Sequence, residues 1–195
     1  MPPRAKFTKS QITAAALNIV REEGLSSLTA RSLGDRLGSS ARPIFTVFQS
    51  MDEVQQAVLD AAMKRYTAYI EQGLAEELSF RGVGKQYIRF AMEEPRLFQL
   101  LFMSEQKEYP ELSGILPLID SNYRQILLSI EKDYGLSGEA AENLYQHLWI
   151  YSHGIATLCV TKMCRFTDVQ IENMLSDIGR SLILHSGGTP RSAPR

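Results

Sequence analysis

Apolar residues recur every three or four positions along most of this chain, and runs that alternate apolar with polar are few. The first spacing gathers side chains on one face of an α-helix, whereas alternation would mark strands. Ile12, Ala15, Ala16 and Ile19 form one such face, closed by Gly24. Two short segments come next, within residues 29–48. The pattern then predicts six more helices, over about 50–78, 85–93, from Pro95, 109–133, 138–162 and 168–185. The run FRGVG at 80–84 interrupts it. In the last segment the apolar stripe is Ile171, Leu175, Ile178 and Leu182. The reading is an all-α fold of about nine helices.

The stretch 29–48, TARSLGDRLGSSARPIFTVF, carries the most specific pattern. Thr29 is placed to cap a helix by accepting a hydrogen bond from an unpaired backbone N–H. Leu28 and Leu33 stand at the spacing of a hydrophobic staple, and Leu33 and Leu37 form the inward stripe. Gly34 suits a close crossing, and Gly38 falls just past the last apolar position, where a positive φ favours glycine. Ile44, Phe45 and Phe48 give a second helix its apolar side, with Ser40 as its cap and Pro43 in its first turn. Proline disfavours the α conformation at Arg42, so that helix starts irregularly. Two short helices joined by a glycine turn are the outline of a helix-turn-helix, whose second helix enters a DNA major groove. An ordinary helical hairpin packed by leucines and glycines would share much of this pattern.

Charge separates those readings. Residues 1–48 hold seven Lys and Arg against three acids, an excess of four. The whole chain is at −1, so residues 49–195 stand at −5. A basic head on an acidic body is what a phosphate-contacting domain joined to a different domain presents. The expected division is therefore a three-helix head at 1–49, a helical body at 50–186 and a disordered polar tail at 187–195, within the run SGGTPRSAPR. With 195 residues, 44% of them apolar, the chain can bury a sizeable core. No apolar run approaches the roughly twenty residues a membrane span requires. The opening MPPRAKFTKSQ lacks the apolar core of a signal peptide. Two cysteines, Cys159 and Cys164, suggest no disulfide framework, and the expected setting is a cytoplasmic one.

On these residues the N-terminal fifty positions resemble the DNA-binding domain of the TetR family of bacterial transcriptional regulators. The matching run is LTARSLGDRLGSSARPIFTVFQSMDEV, from Leu28 to Val54. Phe45 stands where that family usually has tyrosine, and Met51 where it usually has lysine, so two phosphate contacts are missing. A second run, GKQYIRFAMEEPRLFQLLF from Gly84 to Phe102, with Trp149, His153 and Gly154 later, is similar to a subgroup with a Trp-x-x-x-His-Gly motif.

The resemblance implies a ligand-responsive regulator, a repressor on a palindromic double-stranded operator. Ser39, Ser40, Ala41, Arg42 and Pro43 would face the bases. Thr29, Arg31, Phe45 and Thr46 would lie near the backbone, with Arg4 and Lys6 reaching a minor groove. The body would form a cavity for a small apolar or aromatic effector, lined from Tyr66, Tyr87, Phe90, Phe98, Phe102, Tyr123, Trp149 and His153. The last two helices would pair with those of a second copy; the plainer alternative is that the final stripe completes the core of a monomer. A helical ligand-binding protein that has lost DNA binding is the alternative reading. No enzyme is expected, and no metal or cofactor. His147 and His153 diverge by about 120° on a helix and Cys159 and Cys164 by about 140°, and GVGK at 82–85 lacks the spacing of a phosphate loop.

Overall fold

The computed structural model describes residues 6–105 and 111–190, and among these the chain forms nine α-helices and two single 3-10 turns. The helices are α1 (Lys9–Glu23), α2 (Ala30–Arg36), α3 (Met51–Leu74), α4 (Ser79–Glu93), α5 (Pro95–Phe102), α6 (Leu112–Ile119), α7 (Tyr123–Tyr134), α8 (Gly138–Val160) and α9 (Asp168–His185). No helix among the described residues is long and apolar enough to cross a membrane.

The chain divides into two units. The first holds the described residues up to Arg65 together with Glu94–Ser104, and the second holds Tyr66–Glu93 and the described residues from Glu105 onward. The composition break near residue 50 thus coincides with the start of α3, while the first fifteen residues of α3 stay with the first unit.

In the first unit, Ile12, Ala16, Ile19 and Val20 bury one face of α1. Thr8 opens this helix with a capping box, its hydroxyl accepting from Gln11 N–H while the Gln11 side chain accepts from Thr8 N–H. Leu33, Ile44, Phe48, Val54, Val58, Leu97 and Phe98 complete the core, all under 2% exposed. Glu94, just before α5, is 4% exposed and clamped by two arginines. Arg21 donates to both carboxylate oxygens at 2.7 and 2.6 Å, and Arg65 donates at 2.7 Å.

In the second unit, α4 starts earlier than the apolar pattern predicts. The segment 80–84 is helical because its glycines are needed there: Gly82 of α4 lies against the backbone of Gly73 in α3, with no room for a side chain on either. The predicted helix over 109–133 also differs, since residues 106–110 lie outside the described region and the rest is two helices. Asp120 breaks it by taking the Asn122 N–H on its side chain at 2.9 Å, the local bond that lets aspartate compete with a helix. The inward row of α9 is Ile171, Leu175, Gly179 and Ile183. Ile178 and Leu182, expected in that row, are turned to a half-exposed neighbouring face.

Gly187–Pro190, expected as part of a disordered tail, are held by hydrogen bonds. Gly188 N–H donates to Ile183 O at 2.9 Å and Thr189 N–H to Tyr134 O at 3.2 Å. Residues 191–195 lie outside the described region.

Candidate functional site

Two places concentrate chemistry, one in each unit. In the first unit, α2 begins at the expected cap. Thr29 Oγ1 accepts from Ser32 N–H at 3.1 Å, and Ser32 Oγ accepts from Thr29 N–H at 3.0 Å. Leu28 and Leu33 are both buried, as a staple requires. Gly38 then turns the chain at φ +62°.

The segment after Gly38 departs from expectation. Residues 39–48 make a tight turn ending in one 3-10 turn, Ile44–Thr46, rather than a second α-helix. Its bonds run mostly three residues apart, Ile44 N–H to Ala41 O at 3.0 Å and Thr46 N–H to Pro43 O at 3.3 Å, and Phe48 N–H closes the segment on Ile44 O at 3.0 Å. Pro43 is the physical reason. Its ring disfavours the helical conformation at Arg42, so regular α bonding does not establish itself from Ser40.

The turn is nevertheless presented outward. Ser40, Arg42, Phe45 and Thr46 are exposed, while Ser39, Ala41 and Pro43 are half-buried. Thr29 and Arg31 are exposed on α2 beside them in sequence. Phe45 is 46% exposed. Lys6 donates to Ser39 Oγ at 3.0 Å, which ties a residue ahead of α1 to this turn. Arg4 lies outside the described residues.

The cations sort themselves. Arg36 pairs with Glu22 at 2.6 Å, Arg21 with Glu94 and Lys9 with Glu53 at 3.3 Å. Arg31 and Arg42 make no ion pair among the described residues. The basic excess of the head is therefore focused on Arg31, Arg42 and Lys6.

Gly34 sets the height of this turn. A Cβ there would lie 3.0 Å from Ala41 N and Ser39 O and 3.1 Å from Ser40 C, all backbone atoms. Gly34→Ala is expected to destabilise the protein by about 1–3 kcal/mol, the usual cost of overpacking. Thermal unfolding checks this, and an unchanged melting temperature would contradict the close crossing.

In the second unit, α4, α7, α8 and α9 enclose a cavity of about 220 Å³, with Tyr66 of α3 on its wall. Its aromatic walls are Tyr66, Phe80, Tyr87, Tyr134, Tyr145 and Trp149, and Val83, Leu148, Leu175 and Ile183 add aliphatic surface. Arg81, Ser152, Ser176 and Arg180 supply the polar side chains other than the tyrosine hydroxyls. An apolar cavity of ~150 Å³ accommodates benzene, so this one suits a single ring with a short substituent.

Behind the wall the tyrosines are fixed by hydrogen bonds. Tyr145 donates to Asp120 Oδ2 at 2.9 Å and Tyr66 reaches the same oxygen at 3.4 Å. Burial pushes the Asp120 carboxyl up, and the bonds from Asn122, Tyr145 and Tyr66 only partly offset this. The Tyr87 hydroxyl meets His153 Nδ1 at 2.9 Å, and burial holds the His153 imidazole below its ordinary value, favouring the neutral ring. Burial also raises the Tyr134 phenol to about 12.

Of the residues expected on this wall, Tyr66, Tyr87 and Trp149 are there. The others are not, and each has a reason. His153 stands behind Tyr87 and orients it. Phe90 packs edge-on against Tyr66 at 5.5 Å and Tyr69 at 5.3 Å. Tyr123 stacks on Tyr145 at 5.9 Å. Phe98 and Phe102 pair at 5.2 Å in the first unit. Sequence reading missed Tyr145 and Ser152, although both lie one helical turn from Trp149 on α8 and share its face. It also missed Phe80, Tyr134, Arg81 and Arg180. Gly154 is exposed with open space above it and does not reach the cavity.

The family model described as the tetracyclin repressor-like, C-terminal domain matches residues 80–177. Two solved structures share the fold. One is a transcriptional regulator from Rhodococcus sp. Rha1, 18% identical, with 95% of this chain and 98% of that one covered at a TM-score of 0.59. The other is a protein of unknown function from Rhodococcus sp. RHA1, 20% identical, with the same coverage and a TM-score of 0.65. No curated protein matches the chain.

Proposed function

Because the chain belongs to the TetR family of transcriptional regulators, we propose that it binds a specific DNA site as a homodimer and represses until a small effector fills the cavity of the second unit. The observation that carries this reading is the outward turn after Gly38. It presents Ser40, Arg42 and Phe45 to solvent, and Arg31 and Arg42 are left without carboxylate partners among the described residues. Ser39, Ala41 and Pro43 complete the base-facing edge, with Thr29, Arg31, Phe45 and Thr46 nearer the phosphates. Thr46 Oγ1 donates to Pro43 O at 2.7 Å, which braces the turn from within.

Dimer formation is supported by apolar surface on the last two helices. Ile150 of α8 is 46% exposed and Leu184 of α9 is 60% exposed, with Ile178 and Leu182 half-exposed and Gly154 open. Two copies would set two turns one DNA helical turn apart, the geometry that reads a palindrome. Effector control follows from α3, which is covalently continuous from Met51 into the cavity wall at Tyr66. A ligand bound more tightly in one position of that helix shifts the population toward it.

Fluorescence anisotropy against the protein's own upstream DNA tests the reading. Binding that weakens steeply between low and moderate salt is expected, since phosphate contacts release counterions. Arg42→Ala should cost about 1–3 kcal/mol of discrimination if Arg42 reads a base, and equal loss on random DNA would make it a phosphate contact. No binding at either salt would favour the second reading, a ligand-binding protein without DNA binding. The irregular segment 39–48, Phe45 and Met51 are the observations that favour that alternative.

A further inference from the structure

The polar groups on the cavity wall are unbalanced. Two arginines stand there and no carboxylate does among the described residues. Asp120 is engaged behind Tyr145 and Tyr66, and Asp133 Oδ2 accepts the Phe80 N–H at 3.1 Å from outside the wall. The indole N–H of Trp149 is buried with no hydrogen-bond partner among the described residues. Arg81 has only a loose pair with Glu172 at 3.9 Å. Arg180 has no ion pair at all among the described residues. It shares one face of α9 with Ser176, four residues earlier, and both border the cavity.

Aromatic walls with surplus donors and a cation lacking a counter-charge are complementary to one kind of small molecule. We propose that the effector is a small aromatic carboxylate, its ring held among Tyr66, Tyr87 and Trp149 and its carboxylate met by Arg180 with Ser176. This rests on the reading of the cavity as the effector site. The size agrees, since one ring with a one- to three-carbon acid fills a space of about 220 Å³. Charge on the ligand is favoured because Arg180, exposed at the edge of the cavity, exchanges water for an ionised hydrogen-bond partner, which is stronger than a neutral one.

The chain's single tryptophan, Trp149, lies on the wall and serves as the reporter. Benzoate, phenylacetate and 3-phenylpropionate are titrated against the full-length protein beside their own primary amides, which match them in shape and lack the charge. At least one acid is expected to change Trp149 emission with a Kd about tenfold below that of its amide, the gain of one charge-assisted bond at a half-open site. In Arg180→Gln that ratio is expected to fall to near one while amide binding persists, which also shows the variant to be folded. An amide that binds as well as its acid, or a ratio unchanged in Arg180→Gln, overturns the carboxylate assignment and leaves the cavity as an effector site. If no acid and no amide alters emission or melting temperature, the effector reading itself fails, and this inference with it.

Discussion

Gly82→Ala is expected to destabilise the second unit by about 2 kcal/mol or more, while Gly84→Ala, two residues on in the same helix, leaves stability unchanged or raises it. The contrast comes from what each new methyl meets. At Gly82 it would run into the carbonyl oxygen of Gly73, and it would lie 3.0 Å from the Gly73 carbonyl carbon and from Glu76 Cβ. The reciprocal test says the same: a methyl on Gly73 would sit 2.6 Å from Gly82 C and 2.7 Å from Val83 N. These obstacles are backbone, so no side chain can rotate away, and relief requires α3 and α4 to separate. Overpacking of this kind costs typically 1–3 kcal/mol and at times more. The better helix propensity of alanine, up to about 1 kcal/mol, recovers only part. At Gly84 the methyl would stand 3.6 Å from Ser152 Oγ and 3.8 Å from Leu175 Cδ1, ordinary contact distances. There the propensity gain is uncompensated. Urea unfolding of the two variants beside the parent checks the pair, and equal midpoints for Gly82→Ala and Gly84→Ala would refute the backbone contact.

This pair also marks where the sequence stopped being informative. Read as local punctuation, FRGVG breaks a helix, because glycine disfavours helices and nothing in the chain says that another helix passes within touching distance. The long periodic segments were legible because each repeats its signal over several turns. The cap at Thr29 was of the same local kind, closing on Ser32 three positions later; those at Thr8 and Thr167 share that spacing but were not read. Single-residue effects that act against a pattern were harder to weigh. Pro43 turns an expected α-helix into one 3-10 turn, and Asp120 divides another by accepting the N–H of Asn122 two residues on. The candidate sites obey the same rule. The turn after Gly38 is exposed where its local signals put it, since glycine, serine and arginine in a row need no distant partner. The cavity depends on which faces of α4, α8 and α9 converge. On α9 the buried row includes Gly179, and an apolar count cannot nominate a glycine. Arg81 and Arg180 read as solvated surface in sequence because a long charged side chain normally is.

Two of the buried carboxylates, Asp120 and Glu94, are expected to pull stability in opposite directions with pH. Asp120 is 2% exposed, and burial raises its pKa despite three donors. Its folded form therefore holds the proton more tightly than the unfolded chain. The stability it contributes is complete below the unfolded value near ~3.9 and is lost as pH rises through the folded value. For Glu94, burial also pushes upward, but the hydrogen bonds from Arg21 and Arg65 outweigh it and the net shift is downward. Its contribution is present above the ordinary ~4.3 and is lost as pH falls through the lowered folded value. Asp120→Ala strands the Asn122 N–H and the Tyr145 hydroxyl and removes one contact of Tyr66, so a loss of about 3 kcal/mol at neutral pH is expected. Asp120→Asn keeps an acceptor and the shape, so it should cost much less and should flatten the decline above pH 4. Glu94→Gln should instead flatten the decline on the acid side, because the charge that both arginines answer is gone. Unfolding midpoints for the three variants from pH 3.5 to 7 decide it. An Asp120→Asn profile that runs parallel to the parent across that range would show that this carboxyl titrates as it does in water, and the network behind the cavity would lose its electrostatic role.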